Sequence, residues 1–190
     1  MRLLLSALFA ATLLIGCAAT PGRPPPPREQ VGNFSLEARF ALRIRLPGAA
    51  EQSSSGRLSW EQRGNSSRLL VSNPLGYGVA EIDSVPGHAT LRTTNGETQD
   101  SDDPDTLLET VTGQRLPVSR LPAWLLGRAG PDSKIQRDLL GRPQHLEESG
   151  WQVDYSYESD AADALPVRLT LNRNGQIELR LRIEEWKGTP

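Results

Sequence analysis

Cys17 is the residue whose type and position indicate the most specific chemistry, and it is the only cysteine in the chain. It follows Leu14, Ile15 and Gly16, which fit the lipobox pattern of an apolar residue, a tolerant position and a small residue before the cysteine. At such a site the thiol receives a diacylglyceryl group, and cleavage before the cysteine frees its amine for a further acyl chain. The alternative is an ordinary export signal with a cysteine there by chance. The spacing favours Cys17 as a lipid-attachment site.

The segments on either side of Cys17 indicate export and tethering. Arg2 precedes an apolar run that ends at Ile15 and is too short to span a bilayer as a stable helix. We therefore expect residues 1–16 to be a cleaved lipoprotein signal peptide, and residues 17–33 to be a lipidated N-terminus with a proline-rich tether. A run of consecutive prolines favours extended polyproline II structure, which would act as a spacer between the membrane and the folded domain.

Ala18, directly after the cysteine, predicts the membrane to which the anchor goes. In proteobacterial lipoproteins an aspartate at this position tends to retain the protein in the inner membrane, so alanine favours the outer membrane, with the domain facing the periplasm. The formal net charge is -2 and no basic run is present, which argues against a nucleic-acid-binding surface. One cysteine with His88 and His145, far apart in the sequence, does not make a metal cluster.

The remaining acidic and glycine-rich segments indicate no catalysis. Asp100, Asp102, Asp103 and Asp105 resemble a metal-binding loop, but the central glycine and the glutamate of an EF-hand are missing. A solvated loop before the acidic start of a helix is the better interpretation. No G-x-S-x-G nucleophile elbow and no phosphate-binding loop is present. We expect no catalytic residue, no cofactor and no metal ion; an enzyme would need distant groups brought together by the fold.

The folded domain, expected over residues 34–190, reads mainly as β-strands. Apolar and polar residues alternate from Phe34 to Ile44, as in a strand with one buried face. Residues 47–55 are predicted to be a polar loop, and a second strand is predicted at Leu58 and Trp60. Further strands are predicted over residues 69–72, 79–82, 89–93, 151–157, 167–171 and 177–183.

The connection between the last two strands determines which residues face each other. Pairing Leu171 with Ile177 matches apolar residues along both strands and requires a five-residue loop. A two-residue turn on Asn174 and Gly175 would instead place Leu171 opposite Glu178. We therefore predict the five-residue loop.

Two short helices are predicted between the strands. Asp103 is a helix N-cap with Pro104 at the first helical position, and Gly113 ends this helix. A second helix is predicted from Ser119 to Gly127. Helices this short need packing against the sheet, and a sheet with one apolar face needs covering. We therefore expect a mainly β fold: an unclosed antiparallel β-barrel, or half-barrel, with short α-helices forming a lid over a hydrophobic cavity.

Leu75 stands out because it is apolar and lies at the tip of a predicted turn. Turn chemistry explains Asn73, Pro74 and Gly76 in this segment, but it does not explain a leucine between them. Either Leu75 folds back into the core, or it is an apolar tip that enters a bilayer or a lipid-loaded partner.

Several short motifs, in order along the chain, resemble those of the LolB family of outer-membrane lipoproteins. They are the lipobox at Cys17 and residues 56–62, 73–76, 107–113, 116–118, 121–127, 150–157, 165–166 and 186. The resemblance implies an unclosed β-barrel with a helical lid over a hydrophobic cavity. It also implies a protein that receives acylated lipoprotein cargo from the periplasmic carrier LolA and inserts it into the inner leaflet of the outer membrane. In this family Leu75 would help to deliver the cargo, whereas a role for Tyr77 stays open.

An apolar container is what such cargo needs. Exposing one sixteen-carbon chain to water costs on the order of 12 kcal/mol at ~0.8 kcal/mol per methylene. Candidate wall residues, each of which could equally be ordinary core, are Phe40, Leu42, Trp60, Leu69, Leu108, Trp124, Leu125, Trp151 and Tyr155. We expect a monomer that accepts lipoproteins; the alternative is an envelope lipoprotein that binds lipid or acts as a scaffold without transferring cargo.

Overall fold

A computed structural model describes Arg28 and residues 31–189. The predictions for the signal peptide and for lipidation at Cys17 lie outside the described residues and stay predictions. Within the described part of the chain, no helix is long and apolar enough to cross a membrane.

The described chain forms one antiparallel sheet of eleven strands, and two short helices lie in the connection between the sixth and the seventh strand. The strands are β1 (Asn33–Ile44), β2 (Gln52–Arg63), β3 (Ser66–Ser72), β4 (Gly78–Val85), β5 (His88–Thr93), β6 (Thr98–Ser101), β7 (Lys134–Arg137), β8 (Pro143–Glu148), β9 (Trp151–Ser156), β10 (Arg168–Arg173) and β11 (Ile177–Thr189). The helices, α1 (Pro104–Thr112) and α2 (Leu121–Leu125), follow β6. The strand order is β6-β5-β4-β3-β2-β1-β11-β10-β9-β8-β7, so β6 and β7 are edges and the sheet does not close. The expected mainly β, unclosed fold is confirmed.

The two ends of the sheet can be defined by β1. Because every neighbouring pair is antiparallel, the turns alternate between the end where β1 begins at Asn33 and the end where it finishes at Ile44. The β3–β4 turn lies at the finishing end. The β7–β8 turn lies at the beginning end.

Alternation of buried and exposed residues is clearest in the central strands. In β1 the even-numbered residues from Phe34 to Ile44 face inward, and Phe40 alone among them is only partly buried. In β9, Trp151, Val153 and Tyr155 face inward while the residues between them are exposed. The period-two pattern therefore predicted the buried face correctly in both strands.

The predicted pairing of Leu171 with Ile177 is wrong. Leu171 lies opposite Leu179, and the connection is a three-residue loop of residues 174–176. Asn174 and Gly175 both have positive φ, and the N–H of Gln176 donates to the carbonyl of Arg173. Asn172 and Arg173, which the prediction placed in the loop, pair with Glu178 and Ile177 instead. The pairing therefore differs from the predicted one by two residues, and apolar residues still oppose each other.

Two polar strands and the polar first part of a third were not predicted. Residues 52–55 belong to β2 rather than to a loop, since Ser53 pairs with Arg43 and Ser54 with Leu42. The edge strand β6 is largely exposed, and so is β7 at the opposite edge. These short edge strands carry no apolar alternation, because they bury almost no side chain; in β7 only Ile135 packs against the core.

The helix α1 begins and ends where the sequence predicts, whereas α2 (Leu121–Leu125) is shorter than the predicted helix from Ser119 to Gly127, because turns precede and follow it. The side chain of Asp103 accepts a hydrogen bond from the N–H of Asp105 at 2.9 Å, and Gly113 closes α1 in the left-handed conformation. The helix α2 is held to the sheet at its buried Trp124: the indole N–H donates to Glu148 Oε2 at 3.0 Å, and the Tyr155 hydroxyl donates to the Trp124 carbonyl at 2.8 Å. The segment that carries both helices thus connects one edge of the sheet to the other and covers its inner face.

Candidate functional site

A cavity of about 390 Å³ lies between the inner face of the sheet and the helical segment. Its apolar lining residues are Phe40, Leu42, Ile44, Leu58, Trp60, Leu69, Val71, Val79, Leu108, Leu116, Pro117, Val118, Leu121, Leu179 and Leu181. Its polar lining residues are Gln52, Ser53, Ser54, Ser55, Ser72, Asn73 and Thr112. None of these described lining residues carries a charge, so the cavity suits an uncharged, apolar guest.

The inner row of β2 shows how the sequence makes this space. The even-numbered residues of β2 face inward. Among them Trp60 and Leu58 are buried, and Gly56 is the next inward position toward the start of the strand. Gly56 lies opposite Phe40, and a Cβ on Gly56 would lie only 2.8 Å from Phe40 Cε1. Because this position has no side chain, the ring of Phe40 rests against the β2 backbone. Beyond Gly56 the row continues with the polar residues Ser54 and Gln52, which also line the cavity.

Five of the nine candidate wall residues line the cavity. They are Phe40, Leu42, Trp60, Leu69 and Leu108. The first four come from the inner faces of β1, β2 and β3, and Leu108 comes from α1. The structure thus brings together the sheet residues and the α1 residue that the sequence indicates.

The other four candidates are not among the lining residues. Trp124, Leu125, Trp151 and Tyr155 are buried in the packed core between α2 and strands β8 to β10. The guanidinium of Arg173 lies over the Trp151 ring, 5.9 Å from its centre, in a cation–π contact. These four residues are therefore part of the packed core and do not contact the cavity.

Glu148 is the polar centre of that packed core. Its carboxylate accepts hydrogen bonds from the Trp124 indole at 3.0 Å and from the Gly130 N–H at 3.1 Å, and it pairs with Arg120. Burial raises the pKa of Glu148, but these hydrogen bonds and the Arg120 charge outweigh burial and place the pKa below its ordinary value. The ionised carboxylate thereby fixes α2 and the following loop to β8.

The turn that carries Leu75 projects from the sheet between β3 and β4. The Asn73 side-chain oxygen accepts hydrogen bonds from the N–H of Leu75 at 2.9 Å and of Tyr77 at 3.1 Å. The Gly76 N–H donates to the Asn73 carbonyl at 2.9 Å, with Gly76 at a φ of 92°. Asn73 therefore orders the turn from inside, and the side chains at its tip face outward.

Leu75 is 83% exposed and does not fold back into the core. Tyr77 is also exposed, and Leu70 and Val79 on the flanking strands are partly exposed, so the surface around the tip is apolar. Exposed leucines are common on protein surfaces, but a cluster of large apolar side chains at the tip of an ordered turn is not.

The turn of residues 73–77, which we call the Leu75 turn, shares residues with the cavity. Ser72 and Asn73, the last residue of β3 and the first of the turn, both line the cavity. Val79, at the start of β4, lines it as well. The exposed apolar tip therefore stands at the rim of the cavity, at the end of the sheet where β1 finishes.

Several lining residues are not among the candidates predicted from the sequence. Leu116, Pro117 and Val118 belong to the connection between the helices and close the cavity from the side opposite the sheet. Their signal was present: three apolar residues in succession after the glycine that ends α1 are unusual for a solvated loop. Leu179 and Leu181, in the strand predicted over residues 177–183, also line the cavity but are not among the candidate wall residues.

Known proteins match this chain over its whole described length. The family model described as outer membrane lipoprotein LolB matches residues 32–186. An outer-membrane lipoprotein LolB from Dechloromonas aromatica is 56% identical over 190 residues, which is 100% of both chains. A second, from Bordetella petrii, is 36% identical over 91% of this chain and 87% of its own length.

A solved structure has the same fold. The crystal structure of a LolA superfamily protein, NE2245 from Nitrosomonas europaea, superposes with a TM-score of 0.51 and 13% sequence identity, covering 85% of this chain and 88% of that chain. At this identity the likeness concerns the fold alone. The family model and the two relatives, by contrast, share sequence along the domain that holds the cavity and the exposed turn. The chain belongs to the LolB family of outer-membrane lipoproteins, which makes it an outer-membrane receptor in lipoprotein localisation.

Proposed function

We propose that this protein takes acylated lipoproteins from the periplasmic carrier LolA, holds their acyl chains in the cavity and inserts them into the outer membrane. The observation that carries the proposal is the shared rim: Asn73 lines the cavity and also orders the turn that exposes Leu75. An acyl chain that leaves the cavity on this side passes the apolar tip before it meets water.

The lining chemistry supports acyl chains as the guest. Each methylene moved from water into an apolar site contributes ~0.8 kcal/mol, so a sixteen-carbon chain gains on the order of 12 kcal/mol. An uncharged wall from the sheet, α1 and the connection between the helices provides such a site. The serines and Asn73 at the rim can hydrogen-bond the ester and amide groups where acyl chains join the cargo.

Transfer by this mechanism needs no reaction at the cavity. The proposal assigns no catalytic residue, and transfer proceeds because binding strengthens from the carrier to this protein and then to the bilayer. A difference of ~1.4 kcal/mol per step gives a tenfold preference. Lipid attachment at Cys17 belongs to the proposal, as do the role of Leu75 and a monomeric state.

Photo-crosslinking from two adjacent residues of β3 tests where the acyl chain binds. Val71 faces inward and lines the cavity, whereas Leu70 faces outward. A photoreactive amino acid would replace each residue in the full-length protein. A purified carrier loaded with a lipoprotein that contains radioactive palmitate would then be added, followed by illumination.

We expect the radioactive acyl chain to crosslink at position 71 and not at position 70. Equal labelling at both positions would place the chain on the outside of the domain and contradict the cavity. No labelling at position 71, from a carrier that passes its cargo to another acceptor, would favour the alternative of a lipid-binding or scaffold lipoprotein.

A further inference from the structure

A second exposed apolar turn lies between β7 and β8, over residues 138–142. Leu139 at its tip is 105% exposed, which is the highest value among the large apolar residues of the described chain, and Leu140 is 42% exposed. We call this segment the Leu139 turn. Neither Leu139 nor Leu140 takes part in the cavity.

The two turns have the same hydrogen-bonding pattern. In the Leu139 turn the Asp138 carboxylate accepts from the N–H groups of Leu140 and Arg142, each at 2.9 Å. The Gly141 N–H donates to the Asp138 carbonyl at 2.9 Å, and Gly141 has a φ of 79°. Asn73, Leu75, Gly76 and Tyr77 make the equivalent bonds in the Leu75 turn. Both turns thus present leucine on an ordered backbone in which a glycine adopts the left-handed conformation.

The turns lie at opposite ends of the sheet. The Leu75 turn is at the end where β1 finishes, beside the cavity. The Leu139 turn is at the end where β1 begins, and this is also the end at which the chain from the N-terminus reaches the domain.

The first described residue lies close to the base of the Leu139 turn. The guanidinium of Arg142, the last residue of the turn, lies 4.3 Å from the centre of the Tyr157 ring, and the Tyr157 hydroxyl donates to the Pro143 carbonyl at 2.7 Å. The Arg128 guanidinium donates to the Arg28 carbonyl at 3.2 Å, and the preceding residue, Gly127, packs so closely on the Pro143 ring that a Cβ there would collide with it. Arg28 is thus linked through Arg128 and Gly127 to Pro143, the residue that follows the turn.

The length of chain before Arg28 limits how far this end can be from the membrane. Ten residues lie between Cys17 and Arg28, and the eleven steps from one Cα to the next span at most about 40 Å when fully extended. The twelve residues of β1 span about 40 Å as well. With β1 perpendicular to the bilayer, the Leu75 turn can reach the membrane that holds the anchor only when this tether is almost fully extended, whereas the Leu139 turn can reach it with a relaxed tether.

We propose that Leu139 and Leu140 insert into the surface of the bilayer that holds the lipid anchor. In this orientation the cavity and the Leu75 turn point away from the membrane, toward an incoming carrier. Delivery of cargo then requires the Leu139 turn to leave the bilayer and the Leu75 turn to reach it. The inference rests on the outer-membrane location of the family and on the anchor proposed at Cys17, and it does not depend on cargo transfer.

A fluorescent label on Leu139→Cys in the full-length lipidated protein tests this contact. Acylation blocks the thiol of Cys17, so the new cysteine is the one that reacts with an environment-sensitive dye. Asn65→Cys is the matched control, because Asn65 is exposed in the β2–β3 turn at the same end of the sheet but is polar. Each protein would be reconstituted into phosphatidylethanolamine and phosphatidylglycerol vesicles, with or without spin-labelled lipid.

We expect the emission of the dye at position 139 to shift to shorter wavelength and to be quenched by spin-labelled lipid, with both effects smaller at position 65. An aqueous spectrum at position 139 would overturn the proposal. So would a shift that appears only when the carrier or a second copy of the protein is added. The readout needs no cargo, so a failure of lipoprotein transfer, measured separately on the same vesicles, would be recognised as a different result.

Discussion

The ring of Phe40 lies against the backbone of Gly56 on the adjacent strand, where an added Cβ would come within 2.8 Å of Phe40 Cε1 and would also collide with the carbonyl oxygen of Ser72. The first contact could relax by rotation of the ring. The second cannot, because the Ser72 carbonyl belongs to the backbone of β3. This single glycine therefore sets both the spacing of β2 and β3 and the position of an aromatic ring in the cavity wall.

Gly56→Ala is expected to destabilise the protein and to weaken acyl binding together. Strain from overpacking at such a site costs about 1–3 kcal/mol of unfolding free energy. Urea unfolding and capture of a palmitoylated lipoprotein would measure the two effects. Gly32→Ala is the matched control, because an added Cβ there meets no atom within 4 Å. Unchanged stability and capture in Gly56→Ala would contradict the described contact.

Leu75→Glu is expected to separate capture of cargo from delivery. Leu75 is exposed and contacts no cavity wall, so stability and capture should change little. Insertion of captured cargo into liposomes should fall about tenfold or more, since a charge replaces a leucine that would enter the bilayer. Leu75→Met, which keeps an apolar tip, should insert normally. Full insertion by Leu75→Glu would remove the proposed role of the turn.

Glu148→Gln is expected to loosen α2 from the sheet. The variant keeps the shape of the side chain but loses the carboxylate charge that pairs with Arg120 and strengthens the hydrogen bond from the Trp124 indole N–H. The unfolding free energy at neutral pH should therefore fall by about 1–3 kcal/mol. The pKa of Glu148 lies below its ordinary 4.5, so its contribution is present above that value and is lost as the pH falls through the folded-state pKa.

The difference between the wild-type protein and Glu148→Gln should therefore shrink in acid. Unfolding curves at neutral pH and at about pH 3 would measure it. Glu158→Gln, at an exposed carboxylate, serves as the control and should change stability little at either pH. A difference between wild type and Glu148→Gln that stays constant across this range would show that the charge of Glu148 does not stabilise the fold.

His145 is expected to stabilise the fold more in mild acid than in base. The hydrogen bond from Nδ1 to Asp154 at 2.7 Å is the main reason that the pKa of His145 lies above its ordinary 6.5, with Glu147 adding to it. A raised folded-state pKa gives stability that is complete below 6.5 and is lost as the pH rises through the folded-state value.

Titration by NMR would measure this shift directly. Asp154→Asn should bring the pKa of His145 back toward 6.5 and should lower unfolding free energy at about pH 5.5 more than at about pH 8.5. An unchanged titration of His145 in this variant would assign the shift to another group.

The sequence was sufficient for the buried face of the long strands, because burial of one face leaves an alternating pattern that can be read directly. It was insufficient to distinguish cavity wall from solid core. Trp60 and Trp151 both face inward from strands, yet only Trp60 lines the cavity. The difference depends on what covers each residue: α2 fills the space over one part of the sheet, and the connection between the helices leaves a gap over the other.

The register of β10 and β11 and the edge strands β6 and β7 could not be predicted from the sequence, because neither leaves its own hydrophobic pattern. A shift of two residues, as at Leu171 and Leu179, preserves every inward face, so the hydrophobic pattern cannot tell the two pairings apart. Strands β6 and β7 bury almost nothing, and their position depends on backbone pairing with β5 and β8, to which any polar sequence can contribute.

The open seam between β6 and β7 determines how the cavity can change size. In a closed barrel, widening the interior would break a continuous ladder of backbone hydrogen bonds. Here, within the described residues, β6 and β7 are not paired, and the segment with α1 and α2 joins them through side-chain packing and a few polar contacts. Expansion for a bulkier guest therefore breaks no hydrogen bond between strands at this seam, and is opposed only by the packing of the helical segment against the sheet.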